Sequence, residues 1–148
     1  MPLTPPWPVT IHGSCVCRDG AAVLLLGPPG VGKSDLALRL LARGFALVAD
    51  DRVILDAAGA RPPPSLAGLL EVRGLGIVRL DWTAPVPLAL ALALGPVVER
   101  LPAPRQHSDY AVPLVAIDPH AAAAPEVVAL ALDCALGRVA QVAGAFAA

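Results

Sequence analysis

The chain has 148 residues, a formal net charge of -1 and 56% hydrophobic residues, and only 16% of its residues are charged. This length suits a single domain that buries its own core without metals or disulfides. The near-neutral charge and the 3% aromatic content argue against a nucleic-acid surface, which is usually basic and often carries stacking rings. We therefore predict one domain over residues 1–148, with the Pro-rich residues 1–8 as an irregular arm.

The first predicted elements are two strands joined by a hairpin. Apolar and polar residues alternate from Val9 to Cys17, which predicts a half-buried strand with His12 and Ser14 on its polar side. Asp19-Gly20 is typical of a two-residue hairpin turn. The apolar run Ala21–Leu26 then predicts a strand that is buried on both faces.

A helix and two further strands follow. Residues Lys33–Arg43 carry apolar positions at helical spacing, and Gly44 stands where a helix ends. Phe45–Ala49 is predicted to be a buried strand, and Arg52–Asp56 another strand.

The second half of the chain carries weaker signals. The predicted elements are a helical turn at Leu66–Leu70, a strand at Val86–Leu94, a mobile loop at Leu101–Asp109, a last strand at Tyr110–Ile117 and a helix at Glu126–Ala147 with Pro125 near its first position.

The hydrophobic content does not predict a membrane protein. The longest uncharged stretch, Trp82–Val98, has 17 residues and is interrupted by prolines and a glycine, whereas a spanning helix needs about 20 apolar residues. The N-terminus has no secretory signal pattern.

The three cysteines are predicted to be buried apolar residues, because an odd number argues against a disulfide framework and no His or Cys cluster completes a metal site. We expect a soluble, cytoplasmic protein.

The glycine loop between the second strand and the helix is the strongest local signal. It matches the pattern G-x-x-x-x-G-K-[ST] and comprises Gly27, Pro28, Pro29, Gly30, Val31, Gly32, Lys33 and Ser34. Such a loop points backbone N–H groups at nucleotide phosphates, while Lys33 reaches the β- and γ-phosphates and Ser34 binds Mg²⁺. Lys33 is the only lysine among 11 basic residues. The loop predicts a phosphate binder without choosing between GTPase, ATPase, nucleotide kinase and protein kinase.

Two adjacent carboxylates follow the next strand. Asp50 and Asp51 end the predicted Phe45–Ala49 strand, at the edge of the sheet where ligands bind in α/β folds. One carboxylate suits Mg²⁺, and a second suits a base that deprotonates an attacking hydroxyl. From the residues alone, a solvated turn remains an alternative.

Several motifs together resemble one known family. The dipeptide His12-Gly13, the P-loop, the Arg-Gly-(x)4-Ala-Asp-Asp pattern at 43–51 and Leu-Leu-Glu-Val-Arg-Gly-Leu-Gly-Ile at 69–77 look like the C-terminal catalytic domain of HPr kinase/phosphorylase. The likeness extends over roughly residues 10–117. It implies an α/β fold, a P-loop-containing domain of the HPr kinase / phosphoenolpyruvate carboxykinase-like type, with a mixed sheet and a C-terminal helix.

The resemblance also implies catalytic roles. His12 matches an active-site histidine near the phosphates, and Lys33 keeps its P-loop role. Asp51 matches the aspartate that accepts the proton of a target serine in the kinase direction and returns it in phosphorolysis. Arg100 fits an arginine that stabilises the transferring phosphoryl group.

A metal site follows from the same resemblance. Ser34 and Glu71 match magnesium ligands, and Asp50 would support the metal or the geometry of its neighbour Asp51. The segment Leu70–Arg79 matches the part of the family that serves both directions of the reaction.

The function implied is that of an ATP- and Mg²⁺-dependent serine protein kinase whose partner is HPr or an HPr-like phosphocarrier, in a homo-oligomer that is a hexamer in the family. The chain is expected to be a short form without the family's N-terminal domain. Asp35 stands where the family usually has Glu. Separately, Val112–His120 lacks the family's Gly-Arg-Asn ending, so phosphorolysis is expected to be weak. The alternatives are a nucleotide-binding regulatory module without phosphoryl transfer and a small-molecule kinase.

Overall fold

The computed structural model describes residues 7–147 and places the P-loop beside a five-stranded mixed sheet. Its strands are β2 (Ser14–Arg18), β3 (Ala21–Leu26), β4 (Ala46–Ala49), β9 (Leu88–Leu94) and β10 (Leu114–Ile117), in the order β10-β9-β3-β2-β4. Strands β3, β9 and β10 are parallel, and β2 is antiparallel to both β3 and β4. Because β4 therefore runs in the direction of β3, the carboxyl ends of four strands meet at one edge. The predicted mixed sheet is confirmed.

Each face of this sheet is covered by a different layer. The helices α1 (Lys33–Leu41) and α2 (Ala124–Ala135) enclose one core with side chains such as Val23 and Leu92. A second, antiparallel sheet encloses the other core with side chains such as Leu24 and Val53; its strands are β1 (Val9–His12), β5 (Arg52–Asp56) and β6 (Gly59–Arg61). The hairpin of β7 (Leu69–Val72) and β8 (Gly76–Arg79) forms a separate two-stranded sheet.

The predicted strand over Val9–Cys17 is two strands in different sheets, so this prediction was wrong. The chain changes sheets at Gly13, whose N–H donates to the carbonyl of Asp51 at 3.2 Å. A Cβ atom at Gly13 would lie 3.0 Å from the Leu25 carbonyl oxygen, so only glycine fits without a local shift. Because β2 is covered on both faces, Ser14 is 1% exposed and does not face solvent as the alternation indicated.

Two helical predictions also differ from the structure. A 3-10 turn lies at Pro64–Leu66, while Leu69 and Leu70, predicted to be helical, begin β7. The C-terminal helix was predicted to reach Ala147 but ends at Ala135, and the chain then turns at Gly137, whose φ is 73°. The predicted helix was too long because the alanine-rich sequence after Ala135 has high helix propensity, whereas Gly137 ends the helix.

The predicted strands Ala21–Leu26 and Arg52–Asp56 occur with the same bounds, and other predicted elements are shorter. α1 ends at Leu41, β9 begins at Leu88 and β10 begins at Leu114, each inside the predicted range. The segment 101–109 contains no helix or named strand. Residues 1–6 of the predicted arm lie outside the described part of the chain.

The three cysteines are free thiols, and Cys15 and Cys17 are buried as predicted, whereas Cys134 is only partly buried, so the prediction was wrong there. Burial raises the pKa of both thiols, which keeps them protonated at neutral pH. No helix within residues 7–147 is long and apolar enough to cross a membrane.

Candidate active site

The P-loop forms a glycine-rich turn between β3 and α1. Gly30 and Gly32 have φ values of 82° and 109°, which side chains with a Cβ rarely adopt. The first turn of α1 has no side-chain cap, so its N–H groups face outward at the positive end of the helix. The Lys33 ammonium donates to the carbonyl oxygens of Gly27 at 2.7 Å and Pro28 at 3.1 Å. This ammonium therefore lies within the loop that would surround a phosphate.

Asp50 is a buried carboxylate that accepts hydrogen bonds from two serine hydroxyl groups. It is 5% exposed, and its Oδ1 accepts from Ser14 Oγ at 2.7 Å and from Ser34 Oγ at 2.8 Å. Its Oδ2 lies 3.0 Å from Ser34 Oγ and 3.5 Å from the backbone nitrogen of Glu71. Asp50 thus connects the P-loop serine to the β2 and β7 strands from behind the site.

Asp51 projects from a tight turn that holds it in an unusual backbone conformation. Its φ is 68°, and the N–H of Arg52 donates to the carbonyl of Asp50 at 2.8 Å, which closes a three-residue turn. The side chain is 68% exposed, and its Oδ1 lies 4.0 Å from Nδ1 of His12. A strained backbone at a non-glycine residue is frequent at functional sites.

Most of the predicted site residues lie at one cleft of about 530 Å³ next to the P-loop, although Pro28 and Val31 are not among its lining residues. His12, Lys33, Ser34, Asp51 and Glu71 all line it, and Asp50 lies behind Ser34. The P-loop contributes Gly27, Pro29, Gly30 and Gly32 to the lining. Arg100 is exposed in the segment after β9 and is not among the lining residues, so its role stays a prediction.

An arginine and a histidine that the sequence did not assign to the site also line the cleft. Arg73 belongs to the turn between β7 and β8, inside the Leu70–Arg79 segment that the family resemblance covers. His120 follows β10 at the same sheet edge as Asp50, and its imidazole lies next to Gly32. Arg39 on α1 fixes this loop by donating to the carbonyl of Pro119 at 2.7 Å and to those of the next two residues after His120. The signal for His120 was its position after a parallel strand, the rule already applied to Asp50.

The donor set fits a magnesium nucleotide. Within residues 7–147, no three His, Cys, Asp or Glu side chains form a group that could hold a metal ion alone. Mg²⁺ usually binds one or two protein oxygens together with phosphate oxygens and waters. The exposed Glu71 and the Ser34 hydroxyl supply that number of oxygens beside the phosphate loop.

Comparisons with known proteins point to one family. The family model for the HPr Serine kinase C-terminal domain matches residues 7–83. The chain is 49% identical over 79 residues to an HPr kinase/phosphorylase of Shouchella clausii, which covers 49% of this chain and 26% of that protein. It is 48% identical over 75 residues to one of Cupriavidus necator, which covers 47% of this chain and 23% of that protein. The matched part is thus about a quarter of the length of these relatives.

A solved structure shows the same fold over a larger part of the chain. The HPr(Ser) kinase/phosphatase of Coxiella burnetii superposes with a TM-score of 0.72 over 87% of this chain and 97% of that structure. The identity between the two is 23%, so this likeness supports the fold and not the chemistry.

Proposed function

The chain belongs to the HPr serine kinase C-terminal domain family, and we propose that it transfers the terminal phosphoryl group of ATP to a serine of HPr or an HPr-like phosphocarrier. The proposal places this reaction in the cytoplasm, with Mg²⁺ and ATP as cofactors. The hexamer known for the family and the weak phosphorolysis expected from the sequence remain predictions.

One observation carries the proposal: an exposed carboxylate, an ammonium held in the P-loop and a serine hydroxyl line the same cleft. Asp51 follows β4, whereas Lys33 and Ser34 are neighbours at the P-loop end of α1, so two separate segments meet at the sheet edge. Phosphoryl transfer depends mainly on positioning and charge neutralisation, with a base for the nucleophile. A phosphate-binding turn alone would not require an exposed carboxylate on a strained turn.

The proposed chemistry assigns one task to each side chain. The serine oxygen of the substrate bonds to the terminal phosphorus of ATP as the bond to the bridging oxygen breaks, and its proton passes to Asp51 while ADP leaves. His12, 4.0 Å from Asp51, orients this carboxylate. Lys33 moves from the loop carbonyls to the β- and γ-phosphate oxygens.

The metal site in this proposal consists of Ser34 and Glu71, with Asp50 as its support. Mg²⁺, when bound, would neutralise charge on the phosphates. Asp50 acts through the hydroxyl of Ser34, to which it is hydrogen-bonded. Arg100 would approach the transferring group only if the segment that follows β9 moves toward the cleft.

A protein substrate is favoured over a small molecule by the surface next to the cleft. Leu75 and Ile77 on the β7–β8 hairpin are 75% and 70% exposed, within a few residues of the lining residues Glu71 and Arg73. Exposed apolar side chains beside a site are typical of protein contacts. A small-molecule kinase would instead need a closing lid rich in arginine.

The direct test is to incubate the protein with ATP, Mg²⁺ and the phosphocarrier of the same organism and to measure intact mass. We expect the carrier to gain one phosphate on a serine. ATP binding without transfer would contradict the proposal and favour the regulatory module. Phosphorylation of metabolites in place of the carrier would favour the small-molecule kinase.

The hairpin gives a second prediction. The double change Leu75→Ser and Ile77→Ser is expected to raise the KM for the carrier by about tenfold, because truncating exposed contact residues weakens protein binding. ATP affinity should not change. The matched control is Val139→Ser with Val142→Ser, two exposed residues beyond α2. Equal KM values for both double variants would exclude the hairpin as the docking surface.

A further inference from the structure

Ser14 is a buried polar residue that has no role in the proposed phosphoryl transfer. It is 1% exposed, and its hydroxyl donates to Asp50 Oδ1 at 2.7 Å. The same carboxylate oxygen accepts from Ser34 Oγ at 2.8 Å. Two serines from distant parts of the chain therefore meet on one oxygen of one buried acid.

This geometry fixes the direction of the Ser34 hydroxyl. A serine hydroxyl has one proton to donate and two lone pairs to offer. When the proton of Ser34 points at Asp50, the lone pairs remain free for a ligand in the cleft. The position of the Asp50 carboxylate thus sets the direction of these lone pairs, and Ser14 is one of the two hydroxyls that hold it.

The fold explains why Ser14 can do this. Ser14 is the first residue of β2, the antiparallel strand that begins at the edge where β3 and β4 end. It pairs with Leu25, two residues before the P-loop. The preceding residue, Gly13, donates its N–H to the carbonyl of Asp51. Gly13 therefore holds the backbone of Asp51, and Ser14 holds the side chain of Asp50.

We propose that Ser14 is a positioning residue that orients Asp50 and, through it, the Ser34 hydroxyl toward the magnesium nucleotide. This inference rests on the proposed function only for the binding of that nucleotide and not for the carrier or the transfer step. Groups that orient metal-binding side chains typically change metal affinity by about 10- to 100-fold when removed. A hydroxyl that only satisfies a buried carboxylate would affect folding stability alone.

The test measures the Mg²⁺ concentration that gives half-maximal binding of a fluorescent ATP analogue. In the full chain, Ser14→Ala is expected to raise this concentration by about tenfold, with unchanged analogue binding in the absence of Mg²⁺. Ser14→Thr keeps the hydroxyl and should stay within twofold of wild type. Ser14→Cys is close in size and donates weakly, so an intermediate shift is expected; it also serves if the alanine variant does not fold.

The matched control is Val16→Ala on the same strand, whose buried side chain packs in the helix-side core. It should lower thermal stability without moving the Mg²⁺ midpoint. Equal midpoints for the Ser14 variants and wild type, or an equal shift in Val16→Ala, would overturn the proposal. So would Mg²⁺-independent analogue binding by the wild type. A protein that binds Mg²⁺-ATP but fails to phosphorylate the carrier would instead contradict the proposed function and leave this inference standing.

Discussion

Replacing Asp51 with Asn is expected to lower the rate of phosphoryl transfer by about two to four orders of magnitude, the usual contribution of a positioned base. Asn has nearly the same size as Asp and also tolerates positive φ, so the three-residue turn at 50–52 should remain intact. The amide cannot accept the proton of the serine. Because the Asp51 side chain is exposed in the cleft and is not part of the P-loop, ATP affinity should stay within a few-fold of wild type.

The control for this variant is Asp19→Asn, which makes the same chemical change at another aspartate of positive φ. Asp19 has a φ of 55° and lies in the β2–β3 turn, at the end of β3 opposite the P-loop. Transfer in single-turnover assays and ATP binding should both be unchanged there. Transfer by Asp51→Asn at a rate within threefold of wild type would exclude Asp51 as the base and direct attention to His12.

Much of the fold could be predicted because periodicity and turns report local structure directly. The run Ala21–Leu26, the helix from Lys33 and the strand before Asp50 are each defined by a short pattern. The sheet change at Gly13 could not be predicted, because it depends on the approach of the Leu25 and Asp51 carbonyls from elsewhere in the chain. Sheet order and the β1–β5–β6 layer are likewise set by tertiary contacts.

The site residues fall into the same two groups, those that local sequence patterns identify and those that depend on tertiary contacts. Residues in contiguous motifs, such as Lys33 and Asp51, could be identified from spacing and from the family resemblance. Ser14 could not, because it acquires its place through Asp50, far along the chain. His120 did carry a signal, its position after β10, and Arg39 then holds its loop in place. Periodicity even placed Ser14 on a solvent-facing side, since a single strand with one open face was the simplest interpretation.

Replacing Lys33 with Arg is expected to lower the transfer rate by at least about 100-fold, a loss typical of removing one group that stabilises transition-state charge. The change keeps the positive charge, and arginine already supplies every other basic residue in the chain. The ammonium donates to two carbonyl oxygens of its own loop, Gly27 at 2.7 Å and Pro28 at 3.1 Å. A planar guanidinium is larger and directs its donors in a fixed plane, so it cannot follow the phosphate as a point charge.

The opposite substitution provides the control. The control variant is Arg43→Lys. Arg43 lies beyond the C-terminal end of α1, and its guanidinium pairs with Glu126 at 2.9 Å, with both side chains about half exposed. An exposed ion pair contributes little, so stability and transfer should not change measurably. The measurements are transfer rate, ATP affinity and thermal unfolding of both variants. Wild-type transfer by Lys33→Arg would mean that positive charge alone is sufficient in the P-loop, whereas the expected loss would show that this chain retains its one lysine for the shape of the ammonium.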